Sequence, residues 1–167
     1  MRKFFLLIIF VIVCTEGFSQ IVKRTELRRD FHECANRIQT EKLSKKLDNI
    51  KSADPVFIAY KGALTASLAR FSFNPLKKYS FCRSGLQDIN AAIFSSPHDI
   101  ELRYLRMVVE INIPSLLGLS PNIIEDKVVI MNLMKAEKDD FLKKLISDFL
   151  IRSGLCSENE KQILATV

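Results

Sequence analysis

Two glutamates and two arginines stand within one short stretch, SSPHDIELRYLRMVVEINIP (residues 95–114): Glu101, Arg103, Arg106 and Glu110. At about 100° per residue on a helix, Arg103, Arg106 and Glu110 share a narrow face with Asp99, while Glu101 falls on the opposite side. Two arginines three residues apart can hold a carboxylate or phosphate through paired N–H···O contacts. Arg103, Arg106 and Glu110 are therefore the candidate partner-binding residues, for recognition and not for catalysis. A structural reading stands beside this one. Asp99 caps a helix, and Glu101 lies in its first turn, where exposed amides favour a carboxylate. Arg106 and Glu110 then form an i,i+4 pair on a solvated face, of the kind that contributes about 0.2–0.5 kcal/mol.

Other reactive groupings are thinner. His32 and His98 are the two histidines of the chain, and HEC places His32 and Cys34 roughly 200° apart on a helix, so they do not face each other. A Cys-His nucleophile would have to be assembled from distant segments. Five glycines make no phosphate-cradling loop, and no Cys, His or acidic residues show metal-ligand spacing. The expectation is a chain with no metal, no cofactor and no enzymatic activity.

The N-terminus sets the compartment. MRKFFLLIIFVIVCTEGFSQ opens with Arg2 and Lys3, continues with an apolar run from Phe4 to Cys14, and ends with the small residues Gly17 and Ser19. That run is too short to span a bilayer, which takes about 20 residues, and the layout is that of a secretory signal peptide. Cleavage after Ser19 leaves Gln20 first, and Val13 before Cys14 argues against lipidation; an uncleaved anchor is the alternative. The reading is residues 1–19 as leader, 20–167 as one domain, a periplasmic or secreted location, and no transmembrane segment beyond the leader. Without the leader the chain keeps 23 basic and 18 acidic residues, a net charge of +5. Its cations are scattered in small groups rather than gathered into a stripe, which with export argues against nucleic acid. Cys34, Cys82 and Cys156 remain, an odd number that permits at most one bridge in an oxidising compartment; small buried apolar residues is the alternative.

The elements that must position these residues are helices. Leu27, Phe31, Cys34 and Ile38 recur at three or four, and Leu43, Leu47 and Ile50 restart the pattern after a turn near Gln39 and Thr40. Asp54-Pro55 starts the next helix, which is apolar on nearly every side and so is expected to be the most buried. Gly62 within its row of small residues predicts close approach of a neighbouring backbone. Asn74-Pro75 ends that helix, and Tyr79, Cys82, Leu86, Ile89 and Ile93 stripe the one after it. Pro114 and Gly118 mark a connection, Ser120-Pro121 a new start, Gly154 a stop, and Ser157 with Glu160 a capping box. The fold class is all-α: antiparallel helical hairpins, about eight helices after the leader.

Two stretches, residues 54–96 and 97–135, each make a helix pair of about 40 residues. AYKGAL in a first helix, GLQDINAAIFSSP in a second, and ELRYLR opening the next unit resemble tetratricopeptide repeats. The likeness departs in the extra residues around FSFNPLKKYSFCRS and in missing aromatic and glycine positions of the second unit, so a degenerate array and a compact irregular bundle both remain open. The resemblance implies that Arg106 and Glu110 line a concave groove with Arg103 at its margin. DP…AYKGA…FNP followed by P-x-D-x-E-x-R-x-L-R…N-x-P-x-L-x-G, over roughly residues 54–126, also resembles a family of exported bacterial helical proteins without assigned function.

The function expected on this basis is that of a protein or peptide interaction module in a bacterial envelope. The alternative is a carrier of a small apolar or lipid ligand, suggested by Phe57, Phe71, Phe73, Phe81 and Phe94, which either pack a core or line a cavity between helices.

Overall fold

A computed structural model describes residues 24–50, 52 and 54–166; the leader and the start at Gln20 lie outside them. Among the described residues the chain is all helical, without strands: α1 over residues 24–32, α2 (Arg37–Asp48), α3 (Pro55–Ser67), α4 (Pro75–Ser95), α5 (Ile100–Ile111), α6 (Ile123–Leu133), α7 (Asp140–Arg152) and α8 (Glu158–Ala165). Short 3-10 turns follow α3 (Leu68–Phe71), α5 (Ser115–Leu117) and α6 (Met134–Ala136). Two compact units divide between residues 50 and 51.

In the first unit the turn between α1 and α2 lies at residues 33–36, not near Gln39 and Thr40. Asn36 is the N-cap of α2, and it exchanges hydrogen bonds with Gln39 in a capping box. This satisfies amides that the helix start leaves open, and it outweighs the apolar spacing that carried Ile38 into the first stripe. Ile38 is 78% exposed. Lys46 Nζ reaches Asp30 Oδ2 at 2.8 Å and ties α2 to α1.

The second unit is built on the α3–α4 hairpin. Asp54 and Asn74 cap the two helices, each with proline in the first turn, which costs nothing where the amide has no partner in any case. The close approach expected at Gly62 is present, and its counterpart is Gly85. A Cβ on Gly62 would stand 2.5 Å from the Gly85 carbonyl oxygen, and one on Gly85 would press on the Gly62 carbonyl. Cys82, Leu86, Ile89 and Ile93 are buried as the stripe predicts, but Tyr79 is exposed. Cys82 and Cys156 are buried free thiols, and Cys34 Sγ donates to the Asp30 carbonyl at 3.2 Å.

The most enclosed helix is α5, not α3. Every residue from Ile100 to Glu110 is buried except the half-buried Val108. Tyr104 meets Phe149 of α7 edge-to-face at 5.2 Å, a favoured ring geometry. Leu142, Ile146 and Leu150 of α7 are buried, and Lys127 of α6 bonds Glu160 of α8 at 2.8 Å. Among the described residues no helix is long and apolar enough to cross a membrane.

Candidate functional site

The face of α5 that carries Arg103, Arg106 and Glu110 is an inner face. The side chains of Arg103 and Arg106 are 10% and 8% exposed, so neither surface pairing nor a solvated arginine face is present. Their partners come from α6. Asp126 in its first turn is fully buried, with Oδ2 accepting from Arg106 Nε at 2.7 Å and Oδ1 from Arg106 Nη2 at 2.7 Å. The same Oδ1 accepts from Arg103 Nη1 at 2.9 Å. One carboxylate is thus gripped side-on by one guanidinium and end-on by another. Arg103 Nη1 also donates to Glu125 Oε1 at 2.6 Å and its Nε to the Pro97 carbonyl at 3.2 Å. Arg106 Nη1 donates to Asn90 Oδ1 of α4 at 2.9 Å.

The cluster balances its charge. Two guanidinium groups face the carboxylates of Asp126 and Glu125, as burial demands, because an unpaired charge in this setting costs several kcal/mol. Burial works to lower the Arg103 pKa, but its bonds to Glu125 and Asp126 prevail and raise it. The bond from Arg103 holds the exposed Glu125 below the usual carboxylate range.

Glu110, one turn further along α5, does not pair with Arg106 through a hydrogen bond. Its carboxylate accepts from the backbone amide of Asn122 at 3.0 Å and from Asn122 Nδ2 at 2.7 Å, while its main-chain carbonyl accepts from Ser120 Oγ at 2.8 Å. Asn122 is the N-cap of α6 but gives no side-chain cap of its own. A carboxylate from α5 stands at that positive end instead, where a helix favours negative charge. Burial nevertheless pushes the Glu110 pKa up, against the pull of Asn122 and Arg106. Because Ser120 and Asn122 are both occupied by Glu110, α6 begins at Ile123 and not at Ser120-Pro121. Glu101 lies apart from this cluster, fully buried, accepting from the Tyr60 hydroxyl of α3 at 2.8 Å.

These contacts tie α5 to its surroundings: to α6 through Asp126, to α4 through Asn90, to α3 through Tyr60, and to the flanking connections through Pro97 and Ser120. The guanidinium groups of Arg103 and Arg106 already hold anions, so an external carboxylate or phosphate would first have to displace Asp126. Among the described residues no group of three or more His, Cys, Asp or Glu is placed to hold a metal ion. Sequence reasoning found the arginines by type and spacing but passed over Asp126, Glu125, Asn90 and Asn122. The available signal was the pair of acids, Glu125 and Asp126, opening a helix one connection away from two arginines.

The phenylalanines do not gather either. Phe57 is buried, Phe71 and Phe81 are half-buried, and Phe73 and Phe94 are 101% and 90% exposed. That removes Phe73 and Phe94 from both the core and any internal lining.

The chain matches no protein-family model, no curated protein and no solved structure. The likeness to tetratricopeptide repeats and to exported helical proteins therefore rests on the quoted residues alone.

Proposed function

We propose that this chain is an exported helical scaffold acting as a protein or peptide interaction module in a bacterial envelope. The leader-like opening supports export, and the stacked hairpins support a scaffold. The observation that carries recognition is on α6. Ile124 is 62% exposed and Val128 50% exposed, with Met131 half-buried beside them. These are positions i, i+4 and i+7, the spacing by which a helix presents an apolar stripe to a partner's groove. The Arg103–Asp126–Arg106 lock and the Glu110 cap fix α6 from beneath, so the stripe is held on a rigid support that lowers the ordering cost of binding. Recognition in this account belongs to the outer face of α6, with Arg103, Arg106 and Glu110 acting as its support.

A photo-crosslinking residue placed at Val128, in cells expressing the chain, should give a discrete protein adduct in the envelope fraction. The same residue at Lys144, an exposed position on α7, should give none. Ile124→Ser with Val128→Ser should abolish capture while changing stability by only about 0.5 kcal/mol. Equal adducts at both positions, or capture undiminished by the serines, would contradict the reading.

A further inference from the structure

The loop end of the α3–α4 hairpin carries chemistry that the scaffold does not use. Eight consecutive residues, 73–80, are exposed. Phe73 is 101% exposed, Leu76 80% and Tyr79 36%. Ordinary packing leaves single apolar residues at the surface, but here three stand within seven residues on an exposed turn and helix start. The charges around them are of one sign. From Pro55 to Gln87 there is no aspartate or glutamate, against five cations: Lys61, Arg70, Lys77, Lys78 and Arg83. Arg70 lies over the Phe71 ring, its guanidinium carbon 5.1 Å from the ring centroid.

We infer that this hairpin tip docks on an anionic lipid surface, with Phe73 and Leu76 entering the acyl boundary and Arg70, Lys77 and Lys78 meeting headgroup phosphates. The charge decides the occupant. A surface of negative headgroups complements an acid-free cationic tip, and long basic side chains keep their charge in the headgroup layer while their stems lie along apolar surface. The exposure agrees, since apolar side chains open to solvent suit a surface that can be penetrated. The proposal concerns a different face from the α6 stripe, and its test uses purified chain with protein-free vesicles, so each fails or stands independently.

The chain contains no tryptophan, so Phe73→Trp makes a single fluorescent reporter at the tip. Phe94→Trp is its control: nearly as exposed, at the far end of α4 from the tip, roughly 30 Å away along the axis. With vesicles of brominated phosphatidylglycerol, the reporter at 73 should shift to the blue and be quenched, and the one at 94 should not. Adding Lys77→Glu and Lys78→Glu to Phe73→Trp should weaken partition by about tenfold or more, and neutral phosphatidylcholine vesicles should leave the reporter unquenched. Phe73→Ser with Leu76→Ser, on exposed positions where folding is retained, should lower vesicle cosedimentation. No shift at 73, equal quenching at 94, or binding indifferent to lipid charge would overturn the proposal. So would a dimer in sedimentation that Phe73→Ser dissociates, because the tip's occupant would then be a second copy of the chain.

Discussion

Asp126 is the residue on which the cluster turns, since both guanidinium groups close on its carboxylate. Asp126→Asn keeps the shape but leaves two buried cations short of an anion, and breaking such a pair from one side costs about 3–5 kcal/mol. Chemical denaturation at neutral pH should show that loss; a change under about 1 kcal/mol would mean that water already serves these arginines. Acid separates the other carboxylates by sign. Bonds from Lys127 and Ser157 hold Glu160 down to about 2, below its ordinary 4.5. It therefore stabilises the fold above about pH 4.5, and that contribution is lost as pH falls toward 2. Glu110, raised by burial, acts in the opposite sense: its contribution is full below its ordinary value and fades as pH rises through its higher folded value. Glu160→Gln should flatten the stability loss of the wild type between pH 4.5 and 2, and an unchanged acid limb would refute the Lys127–Glu160 link. At this scale the sequence shows the arginines and their common face. It does not show Asp126, because partners 20 and 23 residues apart are joined by the hairpin and by no local spacing.

Among elements, the tightest junction is that of α3 with α4. Gly62→Leu introduces atoms where the first of them already meets the Gly85 carbonyl at 2.5 Å, with Asp88 Cβ at 2.9 Å and Ile89 Cγ1 at 3.1 Å. The helices must part, at a cost of about 1–3 kcal/mol or more, and even Gly62→Ala should destabilise despite alanine's better helix propensity. Denaturant melts unchanged within about 0.5 kcal/mol would place this face outside the core. Gly62 is legible because it stands in a row of small residues. Gly85 is not, since a helix's own sequence does not reveal which of its residues faces a neighbour's carbonyl. The helix start at Asp54-Pro55, marked by a local cap and proline, is read directly; the same marks at Asn74-Pro75 suggest the end of a helix, whereas α3 ends at Ser67 and α4 begins at Pro75. The start of α6 is misread, because Glu110 of another helix holds Ser120 and Asn122 ahead of it. The same holds for α5, whose burial is hidden by charged residues that a sequence pattern assigns to the surface.

At the scale of the molecule, apolar and charged side chains exchange their usual places at particular points. Arginines and carboxylates tie α5 to its neighbours inside, while Ile124, Val128, Phe73 and Leu76 stand outside. The all-α class and the hairpin succession follow from apolar spacing and caps. The inside-out arrangement does not, because hydrophobic periodicity fixes which residues share a face and leaves open which face is covered. Arg103 and Arg106 hold the helices together from inside. Equilibrium denaturation of Arg103→Gln/Arg106→Gln measures that role. Removing both cations leaves Asp126 buried without a charged partner, so the account predicts a loss of about 3 kcal/mol or more. A change of about 0–1 kcal/mol, the range of exposed ion pairs, would contradict it and return the arginines to the surface.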